Sequence, residues 1–112
     1  MNTANATMQT MQWNETIHID DLWEGDMAPV EVDGVKVLLV NVDGEVKAYQ
    51  NRCPHQAWAL DEADFDGESL TCLRHMWTFD AASGKGINPD DTCLNGYPCE
   101  VGDDGMIRVD VT

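Results

Sequence analysis

Basic residues are scarce in this chain. Its 112 residues include 6 Lys and Arg against 21 Asp and Glu, for a formal charge of -15. That shortage excludes unspecific nucleic-acid binding, which needs a basic footprint. It also argues against docking on anionic membranes. Long apolar runs are lacking too, and no stretch approaches the roughly 20 residues of a membrane-spanning helix. Residues 1–12 hold neither a basic n-region nor an apolar h-region, so they read as a flexible polar tail rather than a secretory signal. The expected location is therefore the cytoplasm. There is no internal repeat and no Pro- or Ser-rich linker, and the length predicts one domain over 13–112. In a reducing compartment the four cysteines Cys53, Cys72, Cys93 and Cys99 are expected to bind metal, do chemistry or sit as buried thiols rather than form disulfides.

No window carries a sustained 3.6-residue apolar period, which argues against long amphipathic helices. What is present instead is short β-type runs between Asp-Gly and Asn-Gly pairs. These pairs are Asp33-Gly34, Asp43-Gly44, Asp66-Gly67, Asn95-Gly96 and Asp104-Gly105. Such pairs supply the positive φ of tight hairpins. Val35 to Val42 has apolar residues on both faces, as in a strand covered on both sides. Trp13 to Ile19, Met27 to Val32 and Glu45 to Gln50 are expected strands, and Asp20 to Gly25 fits one helical turn. Met106 to Thr112 alternates, with Ile107, Val109 and Val111 on one face. Tyr97, Cys99 and Val101 are likewise expected to share a face. Strands and turns at this spacing predict an all-β sandwich or barrel. The stretch from Gln50 to Pro98, rich in Pro, Gly, Trp and His, reads as functional loops on that scaffold.

Two of the three histidines stand beside two of the four cysteines, as Cys53-Pro54-His55 and Cys72-Leu73-Arg74-His75, with sixteen residues between His55 and Cys72. Thiolate and imidazole are both good ligands for zinc, iron and copper. Two chemistries compete for this set. Structural zinc sites usually pair Cys with Cys and His with His. In a Rieske [2Fe–2S] centre two His replace two Cys on one of the two irons. Each loop then gives a thiolate to one iron and an imidazole to the other, so a mixed pair on each loop suits that geometry.

On these residues the chain resembles the Rieske family. Cys53-x-His55 and Cys72-x-x-His75 match its four-ligand pattern, and Trp77-Thr78-Phe79-Asp80 is similar to the aromatic segment after its second loop. The stretches CPHQ, LRHMWTFDAASGKGINPDD and CLNGYPCEV resemble the ferredoxins of bacterial soluble di-iron monooxygenases of the toluene, alkene and isoprene type. The resemblance spans about 13–112. It implies a Rieske iron–sulfur fold, an antiparallel β sandwich or barrel with a small cluster-binding subdomain whose loops lie at about 50–90. It implies one [2Fe–2S] cluster on the iron ligands Cys53, His55, Cys72 and His75, and a monomeric one-electron carrier rather than an enzyme. It further implies two partners, an NADH-dependent flavin and iron–sulfur reductase and the di-iron hydroxylase of a hydrocarbon monooxygenase. The rival readings are the ferredoxin of an aromatic-ring dioxygenase, a nitrite-reductase-type small subunit and a zinc-stabilised interaction module.

Around the ligands, Trp58, Trp77 and Phe79 are expected to shield the cluster or line a docking rim. Pro89 resembles the proline of a third, capping loop. High-potential family members carry loop cysteines and Ser and Tyr hydroxyls where this chain has Trp58, Leu73, Arg74, Trp77 and Phe79, which implies a potential low in the Rieske range. Met76 stands where many Rieske loops have glycine. Cys93 and Cys99 are expected to be buried thiols, and His18 to have no part in the site. The acids Asp61, Glu62, Asp64, Asp66 and Glu68 join the two ligand loops without a base and are a candidate docking patch. Arg52 and Arg74 adjoin the ligands.

Overall fold

The computed structural model describes residues 12–53, 59–72, 76–88 and 92–111. Among these lie eleven strands: β1 (Asn14–His18), β2 (Met27–Val32), β3 (Val35–Val42), β4 (Glu45–Gln50), β5 (Asp64–Phe65), β6 (Ser69–Cys72), β7 (Trp77–Asp80), β8 (Gly86–Asn88), β9 (Gly96–Tyr97), β10 (Cys99–Val101) and β11 (Met106–Val109). They form three antiparallel sheets, ordered β1-β11-β10, β2-β3-β4-β9 and β5-β6-β7-β8. Helical structure among the described residues is two short 3-10 turns, Ile19–Asp21 and Leu60–Glu62.

The central sheet is nucleated by its turns. Asp33-Gly34 and Asp43-Gly44 both take positive φ at each residue, the geometry of a two-residue hairpin whose twist matches its strands. β3 carries the register, pairing along its length with β2 and β4. Its alternation divides the interior in two. Leu38 and Val40 are fully buried in one apolar cluster with Tyr49, Cys53, Leu60, Leu70, Cys72, Phe79, Ala81 and Leu94. Val37 and Leu39 are fully buried in the other, with Leu22, Val32, Ala48, Ile107 and Val109. The first cluster joins the central sheet to the β5–β8 sheet, and the second joins it to the β1-β11-β10 sheet.

Three expectations are corrected. The stretch 50–98 is more than loops, because its hydrophobic residues Phe65, Leu70, Trp77 and Phe79 fall on short strands that build a four-stranded sheet. Asn95-Gly96 is no positive-φ turn. Instead Gln50 N–H donates to Asn95 O (2.7 Å) and Gly96 enters β9 beside Tyr49. β10 is an edge strand, and on it Val101 is exposed while Cys99 is half-buried. Cys93 is exposed rather than buried, while Cys99 is half-buried. Cys93 makes an isolated bridge to Lys85 at a sheet edge, where strand alternation turns its neighbour Leu94 inward instead.

His18 is a structural residue. Its Nδ1 accepts from Asp20 N–H (3.0 Å) and its Nε2 lies 3.0 Å from Asp104 O. One neutral tautomer, with the proton on Nε2, satisfies both. The imidazole thereby ties the end of β1 to the β10–β11 turn.

Candidate metal centre

Two of the four expected iron ligands lie among the described residues, and the fold brings both into one cluster. Cys53 leaves the end of β4 through a tight turn, with Arg52 N–H donating to Gln50 O at 2.7 Å. Cys72 closes β6 and pairs across the hairpin with Trp77. Both are buried in the apolar cluster between the sheets, at 0% and 6% exposure. No disulfide joins any of the four cysteines. Two buried thiols held in one cluster at the roots of two loops fit half of a Cys2His2 donor set. The other residues expected at the site, His55, His75, Trp58 and Pro89, lie outside the described residues.

The roots of both loops are fastened. Asn51 donates its N–H to Lys36 O (3.0 Å), and its side-chain Oδ1 accepts from Asp61 N–H (2.8 Å). That second bond ties the stem before Cys53 to the 3-10 turn that follows the loop. At the second loop, Met76 N–H donates to Cys72 O (2.7 Å). Met76 has a φ of 59°, so a non-glycine residue occupies the left-handed region at this turn. Asn51 was not among the expected site residues. The available signal was an Asn two residues before a ligand, a residue type that readily bonds nearby backbone.

The wall behind the thiols is apolar. Leu60, Leu70, Phe79 and Leu94 are buried with them, and Trp77 packs against the same cluster half-buried. Phe79 is therefore a core residue rather than a rim residue. Tyr49 is the polar member, and its hydroxyl donates to Ala81 O at 2.6 Å. Burial, with Asp80 nearby, pushes this phenol up to about 12, so it remains a neutral donor.

The candidate acidic patch divides. Leu60–Glu62 forms the 3-10 turn, and Asp64 begins β5. Asp66 caps the β5–β6 turn by accepting from Ser69 N–H (2.7 Å) and Glu68 N–H (2.9 Å), which holds its carboxyl below the usual carboxylate range. Asp66 and Glu68 line one cleft with Glu24 and Asp43. That cleft lies at the end of β6 opposite Cys72. At the other end, Lys36 and Arg52 line a cleft with Asn51 and Ala59.

Residues 12–98 match the Rieske [2Fe-2S] domain. This chain belongs to the Rieske family. It is 35% identical, over 90% of its length and 84% of the relative, to the alkene monooxygenase system ferredoxin component of Xanthobacter autotrophicus. It is 31% identical, over 82% of its length and 89% of the relative, to the ferredoxin component of the naphthalene 1,2-dioxygenase/salicylate 5-hydroxylase systems of a Ralstonia species. Among solved structures it is similar to the ferredoxin of carbazole 1,9a-dioxygenase from Nocardioides aromaticivorans. That match has a TM-score of 0.79 and 26% identity, and it covers 90% of this chain and 99% of that one. The Rieske protein described here is thus an all-β ferredoxin with a [2Fe–2S] cluster, and its task is electron carriage rather than catalysis. No helix among its described residues is long and apolar enough to cross a membrane.

Proposed function

We propose that this ferredoxin carries single electrons from an NADH-dependent flavin and iron–sulfur reductase to the di-iron hydroxylase of a hydrocarbon monooxygenase. The observation that carries this reading is the 35% identity to an alkene monooxygenase ferredoxin over 90% of the chain. The ferredoxin of an aromatic-ring dioxygenase is the second reading, favoured by the naphthalene dioxygenase relative.

Cys53, His55, Cys72 and His75 are the proposed ligands. Both thiols stand buried at the loop roots. Chain connectivity keeps the Cα of His55 within about 7 Å of that of Cys53, and the Cα of His75 within about 11 Å of that of Cys72. Trp58, Trp77 and Pro89 are proposed to surround the site. Bound there, the cluster supplies reversible one-electron chemistry. The protein's part is to hold, orient and dry the site. Asn51 fastens the first loop, the Cys72–Met76 turn fastens the second, and Leu60, Leu70, Phe79 and Leu94 keep water from the thiols. With the coordination positions filled by the ligand set, such a site passes electrons and leaves substrate binding to the partner oxygenase.

Reconstitution tests the choice of system. The ferredoxin is combined with a flavin reductase and, in separate assays, with a di-iron hydroxylase or a ring dioxygenase, over a panel of alkenes and arenes. NADH-dependent epoxide or phenol formation with the hydroxylase is expected. Turnover with the ring dioxygenase alone would overturn the first reading in favour of the second.

A further inference from the structure

Trp23 is the most exposed of the large apolar side chains among the described residues, at 72%. It is also fixed in place. Its indole Nε1–H donates to Asp20 O (2.7 Å), and its backbone N–H donates to Asp26 Oδ2 (3.3 Å). The turn that bears it is fastened to the end of β3. Gly25 N–H donates to Asn41 O (2.9 Å), Asn41 N–H to Asp26 O (3.0 Å), and the buried Asn41 Nδ2 to Leu22 O (2.8 Å). Leaving so large a ring in water forgoes its burial energy, and pinning it there forgoes its rotamer entropy. Within the folded chain, one indole hydrogen bond is the visible return for both. A rigid, presented indole suits a protein contact, because its ordering cost is met before binding.

Two clefts meet beside this ring and share Glu24. The first is lined by Ile19, Leu22, Trp23, Asn41 and Gly44, and the second carries Asp43, Asp66 and Glu68. The turn adds Asp20, Asp21 and Asp26, all exposed. Among the described residues, no Lys or Arg lines either cleft. The ring face and the carboxylates therefore attract the same kind of group, a cation, the one through its quadrupole and the others through their charge.

We propose that this face docks a basic segment of a partner protein, with an arginine stacked on Trp23 and an adjoining apolar side chain against Ile19. A planar guanidinium both stacks on an aromatic face and pairs with carboxylates, which an ammonium does less well. The same acids repel nucleic acid and anionic lipid. The contact stands away from the site of electron exchange. Gly44 lies just before β4 and Cys53 just beyond it, and a strand of six residues places its ends about 17 Å apart. A partner held here leaves the thiol end open, so the contact does not depend on which oxygenase the ferredoxin serves.

The test titrates the holoprotein at low ionic strength with a blocked hexapeptide of alternating arginine and leucine, and separately with spermine. Calorimetry reads the affinity, and a nitrogen-15 spectrum follows the Trp23 indole N–H. The peptide should shift that resonance. Trp23→Ala should bind the peptide roughly ten-fold more weakly. Trp23→Phe, which keeps a ring face, should lose less. Trp13→Ala, which removes another exposed indole, should bind as the wild type does. The EPR signal of the reduced protein should be the same in every variant, with and without peptide. A Trp23→Ala affinity equal to that of the wild type would reduce the binding to net charge and overturn the proposal. An indole resonance unmoved at saturating peptide would overturn it as well, whatever the variants do. An equal loss in Trp13→Ala would show that the site is not built on Trp23. Spermine binding as tightly as the peptide, with the same dependence on Trp23, would replace the protein partner by a small polyamine and so overturn the proposal.

Discussion

At the scale of single residues, the ligand assignment makes the firmest demand. His55→Ala and His75→Ala each remove one imidazole from the proposed four-ligand set. Each should abolish the rhombic EPR signal of the reduced protein, and an intact spectrum would refute the assignment. The two other thiols differ in a measurable way. Burial pushes Cys99 up to about 11, from an ordinary value of 9.0, whereas Cys93 is exposed. Only thiolate reacts with iodoacetamide, and a raised value reduces the thiolate fraction at any pH below it. At pH 8 Cys93 should therefore be modified well before Cys99. The Cys99 rate should keep rising as pH climbs from 9 toward 11, and mass spectrometry of timed samples reads both. The second loop bears on potential. Apolar Phe79 and the indole of Trp77 stand where high-potential relatives have hydroxyls, and fewer hydrogen bonds to the cluster sulfurs leave the reduced form less stabilised. A titrated midpoint of about -150 to 0 mV is expected, and a value of several hundred millivolts positive would contradict this.

At the scale of elements, the described residues that flank the two ligand segments are fixed to the scaffold. Asn51 and the Cys72–Met76 turn fasten those flanks, and a packed seam between β4 and the β7–β8 hairpin holds them in relation. Gly84 lies in that seam with φ of 80°, and a Cβ there would stand 2.9 Å from Tyr49 Cε1. Tyr49 cannot easily withdraw, because its hydroxyl is bonded to Ala81 O and the residue is buried, at 4% exposure. Gly84→Ala should cost about 2 kcal/mol through backbone strain and overpacking, lowering Tm by roughly 8 °C or more. Gly34→Ala supplies the control, since that glycine has a similar φ of 82° and open space around it. Equal losses in thermal melts of the two variants would show that the Tyr49 contact adds nothing. The elements also show how far local pattern reaches. Met27–Val32, Val35–Val42 and Glu45–Gln50 were legible to the residue, because branched side chains between Asp-Gly turns specify a hairpin locally. The sheet β5–β8 was not legible. Its strands are 2 to 4 residues long, too short to show alternation, and pairing with neighbours defines them.

At the scale of the whole molecule, charge is distributed unevenly. Glu24, Asp43, Asp66 and Glu68 gather at one end of the cluster-bearing sheet, while Lys36 and Arg52 stand near Cys53 at the other. The excess of acids attracts a basic partner over distance, and the unequal ends give that attraction a direction. Reduction of the oxygenase should slow several-fold between low and physiological ionic strength, as salt screens the encounter. A rate independent of salt in stopped-flow measurements would leave the charge to solubility. Because Glu24, Asp43, Asp66 and Glu68 lie away from Cys53 and Cys72, they suit long-range steering rather than contact beside the thiols.

By itself the sequence determined the chemistry of this protein. Cys53-x-His55 and Cys72-x-x-His75 point to the Rieske family, which the match over 12–98 shows, because residue type and spacing are local properties, and the pairs Asp33-Gly34 and Asp43-Gly44 name their hairpins for the same reason. The tertiary structure alone decided what surrounds that chemistry. It brought Cys53 and Cys72 into one dry wall, sent Phe79 into the core, and left Cys93 and Val101 at sheet edges. It also parted Asp66 and Glu68 from Asp61, which stays at the root of the first loop, and set Met76 in an exposed turn at positive φ. Each of these depends on which strands pair and which faces meet, a matter of contacts between residues far apart in the chain, and local pattern carries no record of them.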